Sequence, residues 1–493
     1  MHLSRIALRP RLPSSRREVL LTGVAIVLLT FCFRTALRGD GVGYFAYLPS
    51  VVAHGTFDMA PTFDQFLEAN TPVWSPNLQH HLANGMTANY KPVGSALLAL
   101  PFYLLTHLVM LLIPGYQDPA LGMEYQLAFT EASLFYIVVA LVLIYRFTRS
   151  LWDAAPAGLA VAAVIFATPL TAYIFFEPSY YHTFAVFAVT AFAIYVYRTH
   201  SSRRPLQWAL AGILGGLATI THVNEVLFLA LIPIESIGLV AQRRWSWRML
   251  TNYGAFAAGA LVSGLPQLVT DKIMFGQWLP VAAPNISFDF LHPHLVEVLF
   301  STQQGWISWT PLVAVALLGM PFLIRRLGWF GFGLVLVAAG EVFLNAALSD
   351  WSGGLAFGLR RLTDQTLVLA LGFGAVFAWL RRVGAGTWAL ALLSAGIAWN
   401  VLLLAQFYYV MRGQVGAPWG QFLVDQLQAV GFVPRLFVQG TAARDLATGH
   451  PVEGFLVLVI LGMAAAAAVH LGRVGQVAGP APRGSRNPGE SLS

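Results

Sequence analysis

The sequence is poor in charge and has almost no cysteine. Only 10% of its 493 residues are Asp, Glu, Lys or Arg, whereas soluble domains carry about 25%. With 57% hydrophobic residues, such a chain cannot cover a water-facing surface, which predicts a protein that crosses a membrane several times. The single cysteine, Cys32, excludes a disulfide within the chain, and no Cys/His zinc spacing is present.

The net charge of +7 does not indicate nucleic-acid binding. Most arginines lie in short clusters between apolar runs, as expected of cytoplasmic loops beside a lipid bilayer. The basic N-terminus, residues 1–18, is therefore predicted to be cytoplasmic. The apolar run from Val19 to Leu37 lacks a small-residue cleavage site, so we interpret it as an uncleaved first span.

The apolar runs predict an all-α polytopic membrane protein with about twelve spans, within a range of 11 to 13. A span needs roughly 20 apolar residues, and arginine clusters mark the cytoplasmic ends. A single transmembrane domain is predicted over 19–472, with its first extracytoplasmic loop at 38–126. The tail, 473–493, is rich in Pro, Gly, Ser and Arg and is predicted to be disordered and cytoplasmic. After the first span come predicted spans at 127–145, 157–175, 182–197, 206–221, 226–241, 250–269, 311–324, 327–347, 364–380, 386–406 and 453–472.

Residues 92–113 carry no formal charge and are long enough to span. A span here would place Arg146 and Arg149 outside, against the positive-inside bias. We therefore expect this segment to lie against the outer leaflet, with prolines interrupting its helix. Thirteen spans remain the alternative.

With this topology, the ionisable residues collect on the extracytoplasmic side. Asp40 is the first of them, at the end of the first span and between glycines that allow close backbone approach to a ligand. Tyr44 would share its face of a following helix. The pattern favours Asp40 as a catalytic base, while a simple N-cap remains the alternative.

Cations on the same side indicate an anion site. Lys91 is the only Lys or Arg between Arg38 and Arg146, so a phosphate contact is the hypothesis and a snorkelling anchor the alternative. Arg360 and Arg361 also fall outside, and arginine pairs match phosphate geometry. A salt bridge to Asp350 or Asp364 is the alternative for them.

Five further residues are candidates for substrate binding: Tyr44, Asp58, Tyr181, His182 and His222. Asp58 could equally be a turn residue, and His182 part of an interfacial aromatic belt. The histidine pairs at 80–81 and 292/294 do not present two imidazoles on one helical face. No metal site and no cofactor is therefore predicted, and a divalent metal is left open.

Four short motifs carry a family resemblance over about residues 20 to 470. They are Gly39-Asp40-Gly-Val-Gly-Tyr44-Phe-Ala-Tyr47-Leu-Pro-Ser50, Asn89-Tyr90-Lys91-Pro92-Val-Gly94, Leu299-Phe-Ser-Thr-Gln-Gln-Gly305-Trp-Ile-Ser-Trp309-Thr310-Pro311 and Trp351-Ser-Gly353-Gly354-Leu-Ala-Phe-Gly358-Leu-Arg360-Arg361-Leu-Thr-Asp364. In order and placement they resemble bacterial polytopic glycosyltransferases of the C-type fold, the family-39-like and dolichyl-phosphate-mannose mannosyltransferase-like members.

The resemblance implies an inner-membrane enzyme of the cell envelope, with outer juxtamembrane helices. Such enzymes pass a sugar with inversion from a polyprenyl-phosphate donor to a glycan, lipid or protein acceptor outside the cytoplasm. Asp40 matches the family's base and Lys91 its donor-phosphate contact. Two positions depart from the pattern, because Val93 replaces a proline and His222 lies where relatives have an arginine. A flippase for lipid-linked intermediates and a non-sugar lipid-phosphate transferase remain alternatives.

Overall fold

The structure is a computed structural model that describes residues 33–35, 37–68, 80–113, 121–200, 203–241, 246–284, 286–411, 415–438 and 440. Four predictions lie outside the described residues: the basic N-terminus 1–18, most of the first span 19–37, the span 453–472 and the tail 473–493.

The described chain is built almost entirely of helices, which confirms the all-α prediction. The first half contains α1 (Asp40–Val52), α2 (Ala60–Glu68), α3 (Gly94–Leu111), α4 (Met123–Leu151), α5 (Ala154–Phe166), α6 (Leu170–Phe175), α7 (His182–Thr199), α8 (Pro205–Thr221), a 3₁₀ helix (Val223–Ala230), α9 (Leu231–Ala241) and α10 (Arg248–Phe275). Two short strands, β1 (His80–His81) and β2 (Thr87–Ala88), pair antiparallel between α2 and α3.

The second half contains shorter helices before three long ones. They are α11 (Leu295–Phe300), α12 (Trp306–Trp309), α13 (Leu312–Leu318), α14 (Met320–Leu327), α15 (Trp329–Ala346), a 3₁₀ turn (Arg360–Gln365), α16 (Thr366–Arg382) and α17 (Gly386–Ala405), which continues as a π-helix (Gln406–Met411). Helix α18 (Trp419–Ala429), a 3₁₀ turn (Val430–Phe432) and α19 (Val433–Phe437) follow.

Six helical stretches within the described residues are long and apolar enough to cross a membrane. The chain is thus a multi-pass membrane protein, while the predicted count of twelve is not confirmed. The six stretches are Gly94–Leu111, Met123–Leu151, Val223–Ala241, Trp329–Ala346, Arg360–Arg382 and Gly386–Met411.

Two predicted spans are divided in the structure. The run 157–175 breaks between α5 and α6 at Thr168 and Pro169, where the proline has no amide proton to continue the helix. The run 311–324 divides into α13 and α14 at Gly319, which lies against the backbone of Gly372 on α16. None of the four resulting helices is long enough by itself to cross a bilayer.

Helix α3 covers most of the segment predicted to lie on the outer leaflet. Its N-terminal half is packed, and Gly94 lies against the backbone of Ile220 and Thr221 at the end of α8. Its C-terminal half exposes apolar side chains, including Leu105 and Leu111. Since the length and apolarity of α3 also suit a span, its outer-leaflet placement stays a prediction.

Small residues bring α8 and α10 into close contact. A methyl group at Gly212 or Gly259 would collide with the backbone of the facing helix, and one at Gly216 with Ser263 and Ala260. Such small residues let helix backbones approach closely inside a membrane. The two helices form one wall of the cavity described below.

Buried apolar side chains form two clusters. One surrounds α1, α3 and the start of α4 and includes Tyr44 and Tyr181. The larger one fills the rest of the bundle and includes Tyr180 and Leu359. The adjacent residues Tyr180 and Tyr181 therefore belong to different clusters, and the ionisable residues described next lie where the two clusters meet.

Candidate active site

The start of α1 fixes the position of Asp40. Gly39 precedes the helix with φ of +47°, a conformation that side chains rarely allow. A methyl group at position 39 would collide with the Tyr180 hydroxyl, and one at Gly41 with Ser179. Close backbone approach is therefore required here, but the partner is the 179–180 turn rather than a ligand.

Asp40 lies between two cations. Its Oδ1 is 2.9 Å from Lys91 Nζ and its Oδ2 is 2.7 Å from Arg360 Nη1. Capping alone therefore does not account for this carboxylate. Burial by itself raises the pKa of Asp40, but Lys91 and Arg360 outweigh it and hold the pKa well below its usual range. The group is ionised at any physiological pH, and the three side chains keep 15–23% exposure.

Lys91 is held against α1 by its own backbone. Asn89 donates from Nδ2 to the Gly43 carbonyl at 2.7 Å and accepts the Lys91 amide at 3.1 Å. The Tyr47 hydroxyl donates to the Lys91 carbonyl at 2.7 Å. The ammonium lies 5.8 Å from the centre of the Tyr44 ring. Lys91 is thus built into the site and is not a snorkelling anchor.

The two neighbouring arginines have different partners. Arg361 Nη2 lies 2.8 Å from Asp350 Oδ2, and its Nη1 donates to the Asp350 carbonyl and to Asn345 Oδ1. Arg360 instead reaches Asp40, with its guanidinium 5.6 Å from the centre of the Tyr180 ring. Arg361 thus forms a salt bridge with Asp350 while it lines the cavity, and Arg360 belongs to the Asp40 cluster.

A cavity of about 580 Å³ opens beside this cluster. Asp40, Lys91, Arg360 and Arg361 line one part of it. Another part runs along α8 and α10, where its walls are mostly apolar. The lining there includes Gly216, Ile220, Ala260, Leu261, Gly264 and Leu268. The cavity thus joins a charged end to an apolar wall of two helices.

Of the five further candidates, three line this cavity. Tyr44 and Tyr181 contact each other with ring centres 5.6 Å apart, and Tyr181 stacks on His222 at 4.2 Å. His182 is fully buried behind Tyr181, 4.0 Å from its ring centre. It therefore belongs to the interior and not to an interfacial belt.

Asp58 does not line the cavity. Its Oδ1 accepts the amide of Ala60 at 3.1 Å, at the start of α2, and the amide of Thr87 at 2.8 Å, on β2. The carboxylate ties these two elements together. The geometry supports the turn alternative for this residue.

A second group of ionisable side chains lies behind the cavity wall. His222 Nδ1 is 3.6 Å from Glu225 Oε1 and 3.8 Å from Asp364 Oδ2, and His182 Nδ1 is 3.5 Å from Asp364 Oδ1. Burial, followed by the charges of Arg361, Arg360 and Lys91, lowers the pKa of His222 to about 3. Its imidazole is neutral at physiological pH.

Two residues of the cavity were not singled out from the sequence. Asn89 connects Lys91 to α1, as described above. Asp271, on the last turns of α10, lines the cavity, and both its oxygens accept Gln267 Nε2 at 3.1 Å. Gln267 Oε1 in turn accepts the Val93 amide at 2.9 Å. Asn89 lies in the same short motif as Lys91, which was the local signal for it in the sequence. Asp271 had no such signal.

The other histidine pairs have local partners. His81 Nδ1 lies 3.2 Å from the Thr87 hydroxyl on the paired strand. His292 Nδ1 lies 3.1 Å from Asp289 Oδ2 on an exposed loop. Within the described residues, the group with the spacing of a metal site is His222, Glu225 and Asp364.

Comparison with solved structures finds chains of similar fold, among them two structures of ArnT. No family model matches the chain, and no curated protein matches it. ArnT from Cupriavidus metallidurans in the apo state is similar with a TM-score of 0.46 and 14% identity, over 90% of this chain and 76% of that one. ArnT bound to undecaprenyl phosphate is similar with a TM-score of 0.45 and 13% identity, over 91% and 78%.

Proposed function

We propose that the chain is a membrane glycosyltransferase that moves a sugar from a polyprenyl-phosphate donor to an extracytoplasmic acceptor with inversion. One observation carries the proposal. A carboxylate held between Lys91 and Arg360 lies at the charged end of a cavity whose other wall is apolar. This combination suits a ligand with a phosphate head and a hydrocarbon tail, next to a base.

The cations supply the phosphate site. Lys91, Arg360 and Arg361 line the same cavity, and charge-assisted hydrogen bonds to phosphate are the strong ones. In the transfer step, the bond between the sugar C1 and the phosphate oxygen breaks, and the electron pair leaves with the polyprenyl phosphate. Fixed cations stabilise the charge that develops on that oxygen, so no separate general acid is required.

Asp40 is the proposed base. It takes the proton of the acceptor hydroxyl while the acceptor oxygen attacks C1 from the face opposite the phosphate. Without a donor, Lys91 and Arg360 keep its pKa low. A donor phosphate competes for the same two cations, so we expect donor binding to raise the pKa of Asp40 and make it a stronger base.

The apolar wall suits the polyprenyl tail. Gly264 leaves open space on α10, where an added methyl group would meet no other atom, and Ile220, Ala260 and Leu261 supply hydrocarbon contacts. Because the tail leaves lipid rather than water, its contact with this wall depends on van der Waals packing and not on removal of apolar surface from water. A tail in this groove would extend between helices toward the bilayer.

The flippase alternative would need ionisable groups along a path through the membrane. Buried acids do occur inside candidate spans, for example Glu131, Glu225 and Glu341. They lie two to eight residues from the end of their stretch that is predicted to face outside, which is within about 12 Å along a helix. Glu235 is also buried, nearer the other end of Val223–Ala241, but it is paired with Arg203 at 3.0 Å. The acids without an arginine partner thus lie toward one membrane face, which favours a site there over a path.

The site is proposed to face the extracytoplasmic side of the inner membrane, because arginine clusters occupy the opposite ends of the helices. In a Cys32→Ser background, Ala83→Cys and Val383→Cys place reporters at exposed positions on the two predicted sides. A membrane-impermeant maleimide applied to intact spheroplasts is expected to label position 83 and not 383. Labelling of 383 alone would invert the proposed orientation.

The reaction itself is tested with purified protein in lipid. Radiolabelled polyprenyl-phosphate sugars are supplied singly, with envelope lipids, glycans and proteins as acceptors. We expect one donor to yield labelled acceptor and free polyprenyl phosphate in equal amounts. Movement of intact donor across the bilayer without transfer would instead support the flippase.

A further inference from the structure

A buried group of acids and histidines lies next to the proposed phosphate site without a role in the reaction. The ligating atoms of His222, Glu225 and Asp364 all lie within 4.8 Å of one another. They come from the end of α8, the following 3₁₀ helix and the 3₁₀ turn before α16. His182, at the start of α7, faces the other oxygen of Asp364 at 3.5 Å.

These side chains are removed from solvent without hydrogen-bond partners. Glu225 is 0% and Asp364 1% exposed. None of their four carboxyl oxygens has a donor in good hydrogen-bond geometry among the described residues, although the Tyr181 hydroxyl faces Asp364 and the two carboxyl groups face each other; both ring nitrogens of His182 also lack a partner. Burying a carboxylate unpaired is costly, so such groups take up a proton or bind a cation.

The neighbouring arginines do not supply that cation. Arg360 is paired with Asp40 and Arg361 with Asp350. The remaining explanations are a proton held between Glu225 and Asp364, whose carboxyl groups interact, and a bound metal ion.

The separations suit a metal ion. Ligand atoms bound to one ion at about 2.1 Å lie roughly 3 to 4 Å apart. His222 Nδ1 is 3.6 Å from the Glu225 oxygen and 3.8 Å from the Asp364 oxygen. These distances are too long for hydrogen bonds and of the length expected between two ligands of one ion.

We propose that His222, Glu225 and Asp364 bind one divalent cation that accepts mixed nitrogen and oxygen ligands, Zn²⁺ or Mn²⁺. His182 Nδ1 lies 3.5 Å from the other oxygen of Asp364, beside the proposed ligands. The cation neutralises two buried carboxylates and joins the junction of α8 with the following 3₁₀ helix to the distant turn that carries Asp364.

A cation in this position has a structural role in the site. Asp364 shares its 3₁₀ turn with Arg360 and Arg361, while His222 lines the cavity and stacks on Tyr181. A cation between them fixes the turn that carries both arginines against the cavity wall. Binding of the ion requires no donor or acceptor, so it can be measured whether or not the proposed transfer occurs.

The test uses the full chain, purified with a histidine-free tag, stripped with EDTA and loaded separately with ZnCl₂ or MnCl₂. Mass spectrometry of the desalted protein is expected to give about one equivalent of one metal, with a rise in melting temperature. Glu225→Gln and Asp364→Asn, which keep the side-chain shapes, are each expected to lose most of the bound metal. Asp289→Asn removes a carboxylate that faces a histidine on the surface and is the matched control, expected to keep the full equivalent.

Wild-type protein with no more metal than the Glu225→Gln variant would overturn the proposal and leave the shared proton as the explanation. Equal loss in Asp289→Asn would also overturn it, because binding would then lie on the surface. If an acid variant fails to fold, His222→Gln serves instead, since that side chain lies at the cavity edge with 13% exposure.

Discussion

Asp40→Asn is expected to lower the rate of sugar transfer by about 10²- to 10⁴-fold, the usual contribution of a positioned base. Asparagine keeps the shape of the side chain but cannot accept the acceptor proton. Donor binding is expected to stay unchanged or become tighter, because the carboxylate that competes with the donor phosphate for Lys91 and Arg360 is gone. Initial rates over a range of donor concentrations, together with equilibrium binding of polyprenyl phosphate, separate the two effects.

The matched control is Asp271→Asn, which removes the other carboxylate identified above in the same cavity. Its oxygens are held by Gln267 and lie at salt-bridge distance from no cation among the described residues, so transfer is expected to stay within about tenfold of wild type. Wild-type transfer by Asp40→Asn would show that Asp40 is not the base. A larger loss in Asp271→Asn would assign that role to Asp271.

Lys91→Met and Arg360→Met are each expected to weaken donor binding by roughly 10- to 100-fold, since a hydrogen bond to a charged group contributes about 1.5–3 kcal/mol. Lys91→Arg and Arg360→Lys keep the charge and should lose less. Lys272→Met is the control, because its exposed ammonium donates to the Gly276 carbonyl, lies over the Trp278 ring and does not line the cavity. Binding of a polyprenyl-phosphate sugar to each variant measures the effect.

The same variants predict a change in pH dependence. In the wild type the pKa of Asp40 is depressed, so kcat/KM should have no acid limb from this group above about pH 4. Lys91→Met removes one of the two positive charges that counteract burial. The pKa of Asp40 is therefore expected to rise. Activity should then fall at a higher pH on acidification than in the wild type. An unchanged profile in Lys91→Met would contradict the proposed coupling between the cation and the base.

The sequence was informative where a property depends on neighbouring residues. The apolar runs 127–145 and 327–347 correspond to α4 and α15 because helix length and hydrophobicity are local. The gathering of Lys91, Arg360 and Asp40 on one face also followed from the alternation of apolar runs and arginine clusters. The glycines at 39 and 41 signalled a close approach, although the approach is to Tyr180 and Ser179.

The partners of these groups could not be predicted from the sequence. Asp40 and Arg360 are 320 residues apart, and no periodicity specifies which of two adjacent arginines reaches the acid. Asp58 is also an aspartate that follows a glycine-containing stretch, yet its Oδ1 accepts backbone amides of α2 and β2. Which groups an ionisable side chain meets depends on how distant helices pack.

What the sequence alone determined is the membrane-embedded helical character of the chain, and it also predicts the side on which the polar residues collect. Both follow from hydrophobic runs and the cost of placing charge in a bilayer. Tertiary structure alone decided that Asp40 lies between Lys91 and Arg360 and that Arg361 pairs with Asp350. It alone placed the carboxylate of Asp364 beside His222 and Glu225, because helix packing brings these distant segments together.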